Sequence, residues 1–96
     1  ATASDTSYSS GVLSASLNIP ANGCLYCGSA TNVGASYTWT NSTERYDVLD
    51  PFVTEGGTVF SAASSTGLTI ETPRTITATI ASSSTPVGSL VLMSWG

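Results

Sequence analysis

The chain has 96 residues with two arginines, no lysine or histidine, and six carboxylates, so its formal net charge is −4. This length predicts one domain. The acidic balance argues against nucleic acid and anionic membrane surfaces as partners, because both require clustered cations. No apolar run of about 18 residues predicts a membrane-spanning helix, and the first residues lack the basic and apolar regions of a signal peptide.

Serine and threonine are abundant, whereas charged residues make up 8% of the chain, against about 25% in an ordinary soluble domain. Hydroxyl groups therefore provide most of the surface polarity. Threonine is β-branched and suits strands, while serine and glycine suit turns. This composition is typical of extracellular, adhesin-like and virion proteins.

The first eleven residues are small and polar, with Tyr8 as the one aromatic side chain. Such a segment has little apolar surface to offset the entropy lost on ordering. We therefore predict a flexible N-terminal arm over 1–11, followed by a single domain over 12–96. The arm is either a frayed terminus or a segment that orders on a partner with Tyr8 as its anchor.

Apolar and polar residues alternate along Val12–Ile19, which predicts a strand with one buried face. The segment 20–23 is a turn signal, because its Asn-Gly pair suits positive φ angles. A short strand is predicted over 24–27, closed by Gly28. A loop is then expected over 29–34.

Ala35, Tyr37 and Trp39 alternate with hydroxyl residues. This alternation predicts a strand with Trp39 as its core anchor. A polar turn at 41–44 and a further strand at 45–49 follow. Together these segments predict a β-hairpin.

Later strands are predicted over 58–62, 68–70 and 75–81, and the segment 90–95 is a nearly continuous apolar run. Such a run is typical of a strand buried on both sides, inside a sandwich or inside an oligomer. Seven or eight short strands about 8 to 12 residues apart, without helical periodicity, indicate an all-β fold. We predict a small antiparallel β-sandwich or jelly-roll-like domain.

Cys24 and Cys27 form a C-x-x-C pair, the one motif with chemical precedent. An intramolecular zinc site needs four ligands, and the chain has no histidine and no second cysteine pair. A redox role needs a helix N-terminus that lowers the thiol pKa, so both roles are disfavoured, and a metal shared between subunits is a remote alternative. The remaining interpretations are packed or free thiols and a local disulfide between Cys24 and Cys27.

The absence of histidine removes the usual general base, together with Ser-His-Asp and Cys-His arrangements. We therefore expect no enzyme, no cofactor and no metal site. Asp47 and Asp50 would form at best a weak calcium site, because no D-x-D-x-D-G loop is present. Solvated turn carboxylates are the simpler interpretation, and Arg74 is expected to pair with an acid at a strand start.

Two further patterns concern sugars. Exposed aromatic rings stack on flat apolar surfaces, so one interpretation is a sugar-binding face lined by Tyr26, Tyr37, Trp39 and Tyr46. Aromatic side chains at alternating strand positions are more often part of the core. The triplet Asn41-Ser42-Thr43 matches a glycosylation sequon.

The order of segments over 34–95 resembles small virion proteins of tailed bacteriophages. The resemblance is carried by Gly34-Ala35-Ser36-Tyr37-Thr38-Trp39, Arg45-Tyr46-Asp47-Val48-Leu49, Gly57-Thr58-Val59-Phe60, Thr66-Gly67-Leu68-Thr69-Ile70, Thr72-Pro73-Arg74-Thr75-Ile76-Thr77-Ala78 and Ser84-Thr85-Pro86-Val87-Gly88-Ser89-Leu90. It implies a β-sandwich or jelly-roll that coats a capsid as a decoration (cement) protein, or that belongs to head fibres or tail. Decoration proteins of this kind often form trimers and place a flexible N-terminal segment on the shell.

These observations predict a non-enzymatic structural virion protein on the capsid exterior. It would bind the major capsid protein as a homo-oligomer, with a trimer favoured. The candidate subunit interface comprises Val91, Met93 and Trp95, with Tyr8 as a further contact; the alternative is a strand buried within the monomer. The alternative functions are a carbohydrate-binding or adhesin-type extracellular module and a fibre or tail subunit.

Overall fold

The computed structural model describes residues 1–7, 11–31, 36–50, 58–80 and 88–96. These residues form antiparallel strands and no helix. The strands are β1 (Thr2–Asp5), β2 (Val12–Ile19), β3 (Gly23–Thr31), β4 (Tyr37–Thr40), β5 (Thr43–Asp50), β6 (Thr58–Leu68), β7 (Glu71–Ile80) and β8 (Gly88–Trp95). The predicted all-β fold is confirmed.

The strands lie in two sheets that pack as a sandwich. One sheet has five strands in the order β1-β8-β3-β6-β5, and the other has three in the order β2-β7-β4. The hydrophobic core lies between them, because each sheet turns its apolar face toward the other. The buried core residues are Leu13, Leu17, Ile19, Leu25, Cys27, Tyr37, Val59, Ala63, Ile76, Ala78, Ile80, Leu90 and Leu92.

Strand β8 is buried on one face and exposed on the other. Leu90 and Leu92 face the core, whereas Val91, Met93 and Trp95 are about half exposed. The prediction of a strand buried on both sides is therefore wrong for the single chain. The reason is that the second sheet covers one side of the five-stranded sheet and leaves the other side open.

The first residues form a strand, so the predicted arm is wrong for Thr2–Asp5. Strand β1 pairs with β8 along its whole length, from Thr2 opposite Met93 to Asp5 opposite Leu90. Main-chain hydrogen bonds to β8 and the packing of Ala3 against the core hold this strand in place. The Asp5 carboxylate accepts backbone N–H bonds from Ser14 (2.8 Å) and Ser7 (2.7 Å), which lower its pKa. Tyr8 lies outside the described residues.

The predicted hairpin between β4 and β5 does not form. Strand β4 pairs with β7 in one sheet, whereas β5 pairs with β6 in the other. The turn between them therefore carries the chain from sheet to sheet. Asn41 has a positive φ of 66°, its Nδ2 donates to the Thr75 carbonyl at 2.8 Å, and Arg74 Nε donates to the Asn41 carbonyl at 2.8 Å. The predicted pairing of Arg74 with an acid is confirmed by its ion pair with Glu71.

Several strand boundaries also differ from the predictions. Strand β3 continues through Gly28 to Thr31, because β6 and β8 pair with it on both sides and hold the glycine in the ladder. Residues 68–70 are not a strand of their own, since β6 runs to Leu68 and β7 begins at Glu71. Sheet pairing thus overrides local strand-breaking signals.

Candidate functional site: an apolar outer face

The two outer surfaces of the sandwich differ in chemistry. The exterior of the three-stranded sheet is lined by hydroxyl side chains, namely Ser14, Ser16, Thr38, Thr40, Thr75, Thr77 and Thr79. Two cross-strand pairs are hydrogen bonded, with oxygen separations of 3.2 Å for Ser14 and Thr77 and 2.7 Å for Ser16 and Thr75. This surface is well suited to contact with water.

The exterior of the five-stranded sheet is mostly apolar, and we call it the outer face. At its β5 edge, the exposed Arg45 guanidinium donates hydrogen bonds to Ser64. Seven large apolar side chains lie on it, each between 42% and 55% exposed: Tyr26, Tyr46, Val48, Phe60, Val91, Met93 and Trp95. Its central strands β8, β3 and β6 contain no charged residue. Clustered apolar exposure of this kind marks an interaction surface.

Strand register brings these residues together from distant parts of the chain. Val91 lies opposite Gly28, Gly28 lies opposite Ala62, and Ala62 lies opposite Tyr46 on β5. One row across four strands therefore places a large residue at each end and two small residues between them.

The small residues leave a shallow depression of about 250 Å³ in the outer face. Tyr26, Tyr46, Phe60 and Val91 line it together with Gly28. A Cβ atom at Gly28 would lie 3.6 Å from Val91 Cγ2 and 3.7 Å from Tyr26 Cε1, which is ordinary contact. The glycine is therefore not required by backbone crowding, and its missing side chain accounts for part of the open space.

The depression has a polar group at its rim. Partial burial raises the pKa of the Tyr26 hydroxyl, and the neighbouring Tyr46 hydroxyl raises it further. A tyrosine hydroxyl is protonated at neutral pH even at its ordinary pKa of about 10. It provides a hydrogen-bond donor and acceptor beside an otherwise apolar surface.

The structure places the predicted interface residues of β8 side by side. Val91, Met93 and Trp95 all point outward, so the alternative of a strand buried within the monomer is wrong. Phe60 and Val48 extend the same surface, with Phe60 opposite Val48. Phe60 was missed because it follows the apolar Val59, and the sequence does not show which of the two faces outward.

The four aromatic residues proposed for a sugar face are divided between two surfaces. Tyr26 and Tyr46 lie on the outer face, whereas Tyr37 is buried and Trp39 packs against the core. The rings of Tyr37 and Trp39 stack with centroids 6.0 Å apart. The predicted core role of Trp39 is confirmed, and the four-residue sugar face is wrong.

Cys24 and Cys27 lie on opposite faces of β3. Cys27 is fully buried in the core, Cys24 is partly exposed, and both are free thiols. Residues three apart in a strand are separated by about 10 Å, beyond the roughly 7 Å that a disulfide spans. The predicted alternative of a local disulfide is therefore wrong.

Burial should make the two thiols react differently. It raises the pKa of Cys27 despite the nearby Ser42 hydroxyl and Arg74. We expect a thiol reagent to modify Cys24 in the native protein and to reach Cys27 after denaturation. Intact-mass measurement counts the labels on each sample. The unlabelled protein should have the same mass with and without reductant. Equal native labelling of both residues, or no loss of native labelling in Cys24→Ser, would contradict this assignment.

The acidic residues near β5 have structural contacts. The Asp47 carboxylate accepts the Tyr37 backbone N–H at 3.0 Å and the Ser61 hydroxyl. Partial burial raises the pKa of Glu44, and the Asp47 carboxylate adds to the effect. Within the described parts of the chain, no cluster of three or more His, Cys, Asp or Glu residues is positioned to hold a metal.

The same described parts contain no helix long and apolar enough to cross a membrane. Comparisons of the chain with protein-family models, with curated proteins and with solved structures gave no match. The outer face is therefore the feature of this protein that bears on its function.

Proposed function

We propose that this protein is a structural virion protein that decorates and stabilises a bacteriophage capsid, binding the shell as an oligomer. The outer face supports this proposal, because seven large apolar side chains lie together on one side of a small domain. The opposite side carries hydroxyl groups. A domain with one apolar and one hydroxyl-rich surface is built to bind another protein with the apolar one.

The composition of the outer face also suits a protein contact. The centres of protein interfaces are enriched in aromatic residues and methionine and depleted of charge. Tyr26, Phe60, Met93 and Trp95 belong to these enriched types. In this proposal the outer face is the contact between subunits, as expected for Val91, Met93 and Trp95.

Edge strands offer a second kind of contact. Among the strands that the structure describes, β5 lies at the end of its sheet and pairs with β6 alone, which leaves a row of its backbone groups for pairing with another strand. A segment of the major capsid protein can add to such an edge by main-chain hydrogen bonds. An oligomer presents several edges at once, which raises effective concentration and makes weak individual contacts sufficient. The resemblance to decoration proteins implies a trimer, and a dimer would present its edge strands in the same way.

Shell binding can be measured directly by co-sedimentation. The shells are assembled from the major capsid protein whose gene lies nearest to the gene of this protein. They are mixed with the purified protein and pelleted. We expect saturable binding at a fixed ratio to capsid subunits and an increase in the melting temperature of the shell, since a ligand of the assembled state stabilises it. Protein that stays in the supernatant at every concentration would reject the proposal.

Carbohydrate binding is the second candidate function. It is favoured by Tyr26 and Tyr46, which line the depression and combine an aromatic ring with a hydroxyl group. Retention on a glycan array that is lost in a folded Tyr26→Ala variant would support this adhesin-type function instead.

A further inference from the structure

We infer that the outer face packs against the outer face of a second copy of this chain about a two-fold axis, with bulky side chains of each copy entering the depression of the other. The inference rests on the proposed function in taking the outer face as the subunit contact. It goes further by naming the partner, the symmetry and the residues at the centre.

The shape of the outer face supports pairing with itself. A depression beside Gly28 and the large residues around it, Val91, Phe60 and Tyr46, lie on the same surface. A two-fold axis places a projection of one copy against the depression of the other and repeats that contact in reverse. The outer face therefore supplies both halves of the contact, and no different surface is needed on the partner.

The available area is sufficient for a specific dimer. Five strands about 4.8 Å apart, four of them at least about 26 Å in length, present a face on the order of 500 Å² per copy. Two copies would then bury on the order of 1,000 Å², which is the lower limit of a specific protein interface. Sheet-on-sheet packing at about 10 Å is also an established way to cover such a face.

The charge distribution permits the contact although each chain carries a net charge of −4. The three central strands of the outer face are uncharged. Two acids are bonded away from this face: Asp5 accepts the Ser14 N–H, and Glu71 pairs with Arg74. Pairing the outer faces therefore does not force carboxylates together at the centre of the contact.

The test measures self-association of the purified chain in the absence of any shell. Sedimentation equilibrium up to about 1 mM should show a monomer–dimer equilibrium, because a contact of this size is expected to be populated in that range. Gly28→Val fills the depression and should weaken dimerisation at least about tenfold. Val91→Ser removes a projection without adding volume and should weaken it similarly.

A matched control adds the same kind of side chain elsewhere. Thr38→Val places an apolar group on the hydroxyl-rich surface and should leave the dimerisation constant unchanged. Circular dichroism checks that every variant retains its fold. Gly28→Val is expected to fold, because the site accepts a Cβ atom at ordinary contact distances and β-branched residues favour strands.

A monomer throughout the concentration range, a trimer, or a dimer insensitive to both Gly28→Val and Val91→Ser would overturn the inference. The proposed function is judged separately by co-sedimentation. A monomeric protein that binds shells would reject the face-to-face pair and keep the shell-binding proposal. A dimer that fails to bind shells would reject the shell-binding proposal and keep the face-to-face pair.

Discussion

Replacing Leu90 with Ala is expected to lower the free energy of unfolding by about 2–5 kcal/mol. Leu90 is fully buried on the inner side of β8, within the core between the two sheets. Truncation removes apolar contacts and leaves a cavity that the surrounding strands fill only partly. Urea denaturation followed by far-ultraviolet circular dichroism measures the loss.

The neighbouring residue provides the control for this prediction. Val91 follows Leu90 in the same strand, but its side chain is 55% exposed on the outer face. At a protein concentration low enough to keep the chain monomeric, Val91→Ala should change the free energy of unfolding by no more than about 0.5 kcal/mol. Equal losses in the two variants would show that the two sides of β8 are wrongly assigned.

Replacing Ser61 with Ala is expected to cost about 1–3 kcal/mol of folding free energy. The Ser61 hydroxyl is buried. It accepts a hydrogen bond from Trp39 Nε1 at 2.8 Å and donates to the Asp47 carboxylate. Its removal leaves the indole N–H and the carboxylate without their shared partner. Denaturation gives the free energy, and the NMR shift of the Trp39 indole proton reports the lost bond.

Ser64 in the same strand is the matched control for Ser61. Its hydroxyl accepts a hydrogen bond from Arg45 Nε at 2.7 Å, but this contact is solvent exposed. Water can replace it, so Ser64→Ala should cost no more than about 0.5 kcal/mol. A loss as large as that of Ser61→Ala would argue against a special role for the buried hydroxyl.

The contacts of Ser61 also bear on the outer face. On β5, the Asp47 carboxylate contacts Ser61 and the Tyr37 backbone, whereas the flanking Tyr46 and Val48 lie on the outer face. Anchoring Asp47 to Ser61 and to the Tyr37 backbone therefore fixes the strand that presents Tyr46 and Val48. Ser61→Ala should therefore weaken binding through the outer face in addition to lowering the free energy of unfolding.

Local alternation in the sequence was sufficient to predict the all-β fold. Successive side chains of a strand point to opposite sides, so Val91, Met93 and Trp95 could be grouped as one face before any partner strand was known. The core position of Trp39 followed from the same rule. The strand predicted over 24–27 already contained both cysteines, so the same geometry excludes a disulfide between Cys24 and Cys27.

Tertiary structure alone decided which strands are neighbours and which side of each is covered. It placed β4 and β5 in different sheets, added β1 to the edge of β8, and set Gly28 between Val91 and Ala62. These pairings join residues far apart in the chain, so their hydrogen bonds and register do not follow from local periodicity. The outer face arises because the smaller sheet covers one side of the larger sheet, and the apolar residues on the other side meet only when β3, β5, β6 and β8 align.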